Sequence, residues 1–280
     1  MTAVLLPVDQ RARRSLAIGR VAGECLRLEA ATYPKPGLVS HIDGGAHRDM
    51  DFGLLVRSAD TLTPYFDALG DAGAAGADMG RLRAIGVDAE RAMLAATGGV
   101  NTHRGAIFGL GLLCAAAGFQ ATYGPGGTLG GLIAARWGDA ILGGPVALHS
   151  HGAVVSRRHG VGGARLEAAR GLPSAYAIAL PALRLGRLLS GADEEAARVQ
   201  ACMALIAAVG DTNLLHRGGA AGLAFAQEAA GAFLARGGVG ARGWRARARA
   251  IHAAFVAKNL SPGGCADLLA MALFIDRMEG

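Results

Sequence analysis

Apolar side chains recur three or four residues apart along almost the whole chain, and alternating strand-like stretches are nearly absent. This pattern predicts helices over about 11–32, 52–70, 80–97, 104–119, 128–137, 162–170, 174–190, 193–210, 218–236, 241–258 and 264–277. The expected fold is all-α, a compact multi-helix bundle formed as a single domain over residues 1–280. Between the helices lie junctions rich in glycine and polar groups: 33–37, 44–49, 97–105, 211–219 and 261–264. Connections in a purely structural bundle would be short and interchangeable, whereas here polar functional groups gather where helices start.

Composition sharpens this picture. Of 280 residues, 60 are Ala and 44 are Gly, which lets helix axes approach closely and suits a bundle better than a solenoid. With 52% hydrophobic and 18% charged residues the chain is too apolar to be disordered, and its glycines keep no three-residue period, so it is not collagen-like. Only 5% is aromatic, against a β-sandwich or a stacking platform for single-stranded nucleic acid. The uncharged stretch from Gly105 to Ala135 is long enough for a membrane span. Four Gly and Pro residues between Tyr123 and Leu129 interrupt it, so it is read as two buried helices joined by a turn, with no membrane partner.

The formal net charge is +6, and 26 of the 28 basic residues are Arg. Arg binds phosphate through two parallel donors, so the excess permits a polyphosphate ligand. Nucleic acid is not expected, because the densest basic cluster, Arg242 to Arg249, alternates with Ala like a solvated helix face. Four dispersed cysteines without a Cys-x-x-Cys pair, and a start that does not resemble a secretory signal, point to a cytoplasmic enzyme.

A helix N-terminus binds anions through its free N–H groups, and glycine lets a phosphate reach the backbone. Three junctions offer this: Gly98 to Gly105, Arg217 to Gly219, and Ser261 to Gly264. None is a Walker A loop or a dinucleotide fingerprint. The acids in or near the junctions are Asp43, Asp49, Asp51, Glu90, Asp211 and Asp267, and an Asp beside a phosphate-binding turn suits Mg²⁺. His149, His151 and His159 flank arginines and lack an identifiable carboxylate partner, which disfavours zinc. His103-Arg104-Gly105 and His216-Arg217-Gly218 repeat faintly, and coincidence is the preferred reading. No serine-hydrolase elbow or zincin helix is present. The residues point to an all-α, Mg²⁺-dependent enzyme for an anionic phosphorylated substrate, without naming the reaction.

The strings PKPGLVS (34–40), GAHRDMDF (45–52), AERAMLAATGGVNTHRGAIF (89–108), GARLEAARGLP (163–173), DTNLLHRGG (211–219) and NLSPGGCADLLA (259–270) together resemble the triphosphoribosyl-dephospho-CoA synthase family. The run SHGAVVSRRHGVGGAR (150–165) is more similar to its malonate decarboxylase branch than to its citrate lyase branch. The resemblance implies a pentosyltransferase that moves the triphosphoribosyl group of ATP to the 2′-hydroxyl of 3′-dephospho-CoA and releases adenine. The product would pass to a holo-acyl-carrier-protein synthase partner, and the apolar surplus allows a homodimer.

On this reading Lys35, Arg104, Arg165 and Arg217 hold phosphates together with backbone N–H groups of Gly98, Gly99, Gly218, Gly263 and Gly264, with Ser261 beside them. Asp49, Glu90 and Asp211 are candidates for Mg²⁺ ligation or the general base. His47 and His103 are further catalytic candidates, and Asn101 and Asn213 orient the ligands. The chain departs from the family's usual residues at Arg104 (often Lys), Leu172 (often Phe) and Cys265 (often Ser). Two other functions fit the residues: an all-α Mg²⁺-dependent ribosyl-bond hydrolase, and a non-catalytic nucleotide-binding assembly subunit.

Overall fold

The computed structural model describes residues 8–145 and 162–280, with side chains of the first helix from Ile18 onward. His149, His151, His159 and most of the run 150–165 lie outside the described residues. Eleven α-helices and no strand occur among the described residues: α1 Val8–Ala31, α2 Phe52–Ala74, α3 Met79–Ala96, α4 Arg104–Tyr123, α5 Leu129–Leu142, α6 Gly163–Ala169, α7 Leu180–Ser190, α8 Glu194–Ala208, α9 Thr212–Ala235, α10 Trp244–Ala257 and α11 Gly263–Glu279. The all-α bundle expected from periodicity is therefore the observed architecture.

Five of the eleven starts follow from local chemistry. Asp51, Asp78, Thr128, Asp193 and Asp211 each accept a backbone N–H from the first turn of the helix that follows, satisfying donors that have no intrahelical partner. α4 is long and apolar enough to cross a membrane by length and composition. It lies instead at the centre of the bundle, packed against α1, α2, α3, α5 and α11. Glycine makes that packing close: a Cβ at Gly73 of α2 would sit 1.9 Å from the Ala115 carbonyl oxygen of α4, and one at Gly118 of α4 would sit 2.0 Å from the Gly70 carbonyl. The small-residue composition thus sets the separation of the two central helices.

Several boundaries differ from the sequence expectation, three of them for local backbone reasons. The helix expected over 174–190 opens with a π turn, Ala175–Ala179, before α7. Pro181 has no N–H to give the Ala177 carbonyl, so the regular ladder cannot run through. α9 begins at Thr212 rather than 218 because Asp211 caps it, and the break expected there falls at Gly219, whose φ of 60° and ψ of −162° only glycine adopts readily. α10 begins at Trp244, after a 3₁₀ turn at Gly238–Gly240 and a left-handed Gly243.

Candidate active site

The junctions singled out by sequence converge at one end of the bundle. Gly37 lies so close to the chain at Leu260 that a Cβ would fall 2.0 Å from the Leu260 carbonyl oxygen, which brings the Lys35 loop onto the segment before α11. His252 of α10 holds the same loop, with Nδ1 2.7 Å from the Lys35 carbonyl and Nε2 3.1 Å from Asp43. Arg217 on α9 ties two junctions together, donating to the Ala46 carbonyl at 2.9 Å and to Asn259 Oδ1 at 2.9 Å, with His47 Nδ1 3.2 Å away. His47 also meets the buried Ser261 hydroxyl at 2.9 Å and Asp49 at 3.5 Å. Burial and the Arg217 guanidinium hold the His47 imidazole below its ordinary pKa, against the pull of Asp49.

Beneath this rim lies a buried polar cluster. Asp211 is 2% exposed. Its Oδ1 accepts the N–H groups of Asn213 (2.7 Å) and Leu214 (3.1 Å), and its Oδ2 accepts that of Cys265 (2.9 Å), so one carboxylate fastens the starts of α9 and α11. Burial raises its pKa against the opposing effect of those N–H groups. Asp267 on α11 accepts a hydrogen bond from the Ala106 N–H in the first turn of α4, and its carboxyl occupies the space a Cβ at Gly105 would need. Burial, then the Glu29 and Asp211 carboxylates, push Asp267 well above the usual carboxylate range. Lys35, 1% exposed, is paired with Glu29 of α1 through both its carboxylate and its carbonyl.

His103 completes the cluster. It is 4% exposed, and its Nδ1 lies 2.8 Å from the buried Ser58 hydroxyl, which in turn takes a hydrogen bond from Thr102 at 2.7 Å. Burial and the Lys35 charge lower its pKa to about 4, so the ring is neutral near pH 7. Its Nε2 is buried with no hydrogen-bond partner among the described residues. A buried polar atom of this kind costs free energy unless something meets it.

Several candidates stand differently from the sequence expectation. Asp49, Glu90 and Asp211 do not converge as one Mg²⁺ set, and no group of three or more His, Cys, Asp or Glu side chains is arranged to hold a metal among the described residues. The reason is that each has another partner: Glu90 pairs with Arg104 at 2.5 Å, Asp49 faces His47, and Asp211 accepts three N–H groups. The described carboxylates are therefore not gathered into an all-protein metal cage.

Arg165 sits away from the cluster and donates to the Leu142 and Gly144 carbonyls, closing the end of α5. Gly98 and Gly99 end α3 with positive φ, and the Gly99 N–H is engaged by the Leu94 carbonyl. Asn101 accepts the Arg104 N–H at 3.2 Å and so helps to start α4. Gly218 packs under Leu260, and Gly263 and Gly264 lie against the side chains of Asn213 and Asp211.

Glu29, Ser58 and Asp267 were not assigned site roles from sequence. Glu29 had a readable signal: Ala22, Cys25 and Leu26 share its helix face and all are buried, so spacing alone places a carboxylate inside. Asp267 is the only charged residue of α11 before Asp276. Ser58 carries no such mark, because small hydroxyls are unremarkable on any helix face.

Fold and site together define an all-helical protein whose helix starts enclose a buried polar cluster. The comparison with known proteins gives the class more closely. A family model described as ATP:dephospho-CoA triphosphoribosyl transferase matches residues 15–280, and the chain belongs to that family of pentosyltransferases. It is 44% identical to a probable 2-(5″-triphosphoribosyl)-3′-dephosphocoenzyme-A synthase of Pseudomonas paraeruginosa, covering 98% of this chain and 94% of that one. It is 41% identical to the 2-(5″-triphosphoribosyl)-3′-dephosphocoenzyme-A synthase of Klebsiella pneumoniae, covering 99% of each. No solved structure matches.

Proposed function

We propose that this chain transfers the triphosphoribosyl group of ATP to the 2′-hydroxyl of 3′-dephospho-CoA, releasing adenine, and that it serves malonate decarboxylase. The observation that carries the reading is the unpartnered Nε2 of the buried, neutral His103 inside a cluster built from four junctions. In the reaction the acceptor oxygen bonds to C1 of the ATP ribose while the bond to the adenine nitrogen breaks. The hydroxyl proton must leave the acceptor and adenine must leave as a neutral base, so one group accepts a proton and one supplies it. With Nδ1–H donating to Ser58, His103 Nε2 is the atom that accepts the hydroxyl proton. Asp267, whose raised pKa favours the protonated acid, is placed at the adjoining start of α4 to supply a proton.

Arg217 and Arg104 stand at the rim as phosphate contacts. Arg217 is half-buried and braced by Ala46 and Asn259, and Arg104 can exchange its Glu90 partner for a phosphate. Lys35, paired with Glu29, acts by charge from below. Mg²⁺ enters as the ATP complex, held by the triphosphate, and so belongs to the substrate. The malonate assignment rests on the sequence run 150–165, and the product would be handed to a holo-acyl-carrier-protein synthase in the cytoplasm.

The reaction is tested by following adenine release and product mass with ATP, Mg²⁺ and 3′-dephospho-CoA. The pathway is tested by deleting the gene: growth on malonate should be lost and growth on citrate kept, and the opposite phenotype would assign the chain to citrate lyase.

A further inference from the structure

An open recess of about 260 Å³ lies at the start of α2, lined by Arg48, Asp49, Met50, Asp51, Leu54 and Arg57. Drug-sized ligand pockets occupy roughly 300–1,000 Å³, so this one suits a fragment of a substrate. Its charges are not equivalent. Asp51 Oδ1 accepts the Leu54 N–H at 2.8 Å as the cap of α2, and Asp49 faces His47 at 3.5 Å. The guanidinium groups of Arg48 and Arg57 carry no hydrogen bond or ion pair among the described residues. The recess meets the rim of the cluster on one side, where its Asp49 lies 3.5 Å from His47.

We propose that this recess is a polyphosphate subsite, in which Arg48 and Arg57 grip the phosphate chain of one substrate and leave its ribose end beside His47. The proposal deepens the transfer reading above and rests on it. Two such chains must be held in the reaction, the triphosphate of ATP and the diphosphate of dephospho-CoA. Guanidinium groups match the oxygen geometry of either.

The test has two independent parts. Inorganic tripolyphosphate and pyrophosphate are titrated calorimetrically into the wild type, the double variant Arg48→Gln/Arg57→Gln, and Arg249→Gln, an exposed arginine of α10 outside the site. The subsite predicts binding of at least one probe to wild type, roughly tenfold weaker binding to the double variant, and no change in Arg249→Gln. Absence of binding to wild type, or equal binding to the double variant, overturns it. Thermal melts check that the variants fold, and the single variants replace the double one if it does not.

Steady-state kinetics then identify the source of the chain. A raised KM for ATP alone assigns the triphosphate, and a raised KM for 3′-dephospho-CoA alone assigns the diphosphate. A fall in kcat with both KM values unchanged contradicts the subsite. If wild type forms no transfer product, the reaction reading fails while the titration still decides the recess.

Discussion

Asp211→Asn separates a structural from a catalytic carboxylate. The two Asp211 oxygens accept three N–H groups, two at the start of α9 and one from Cys265 in α11. An amide retains one acceptor oxygen and places an NH₂ where the other was. Whichever way it turns, at least one backbone N–H then faces a donor inside the protein. Loss of a hydrogen bond to a charged acceptor, leaving a buried donor unmet, costs about 1–3 kcal/mol. For a chain of this size each kcal/mol lowers Tm by roughly 2–4 °C, so a fall of about 2–12 °C is expected. The assay pairs thermal or urea unfolding with kcat measured well below the transition. The geometry predicts a clear loss of stability and a loss in kcat of less than about tenfold, or ~1.4 kcal/mol. An unchanged Tm with kcat down by orders of magnitude would refute the capping role and return Asp211 to metal or proton chemistry.

Further outcomes follow from neighbouring residues. Gly219→Ala should destabilise by about 1–3 kcal/mol although a Cβ there meets nothing within 4 Å, because φ and ψ are the obstacle. Gly231→Ala, equally open but without a positive φ in the same helix, should stabilise by about 0.5–1 kcal/mol, and urea melts of the pair compare them directly. Glu29→Gln should cost about 3–5 kcal/mol by leaving Lys35 buried without its counter-charge, and Glu29→Gln/Lys35→Met should recover part of that in a double-mutant cycle.

For His103, the folded pKa of about 4 lies below the unfolded value near 6.5. Between these values the unfolded chain binds the extra proton, so this contribution is complete above about pH 6.5 and falls as pH drops toward 4, by up to ~3 kcal/mol. Subtracting the stability of His103→Gln from that of wild type at each pH isolates the contribution, and a difference that does not change between pH 7 and 4 would contradict it.

The helices were legible because apolar spacing and Asp or Thr caps are local signals, and α2, α5 and α8 start where those signals stand. The junctions at 33–37, 44–49, 211–219 and 261–264 were legible as unusual, since Gly, Pro, Arg and His cluster there. What each polar group does at the junctions was less legible, because partner choice is settled by tertiary packing. Lys35 looks like a phosphate ligand until α1 brings Glu29 beside it, and Arg165 looks like another until it closes α5. Asp267 appeared as an acid just inside a helix, and only the approach of α11 to Gly105 places it at the start of α4.

The most direct measurement of the central claim is product formation by the purified protein supplied with Mg²⁺, ATP and 3′-dephospho-CoA, followed by chromatography and mass spectrometry. The account predicts free adenine only when 3′-dephospho-CoA is present, together with a product heavier than dephospho-CoA by one triphosphoribosyl group, and both reduced in His103→Gln with the fold intact. Adenine released equally without the acceptor would make the protein a hydrolase, and ATP binding with no adenine at all would make it a clamp; either would contradict the account.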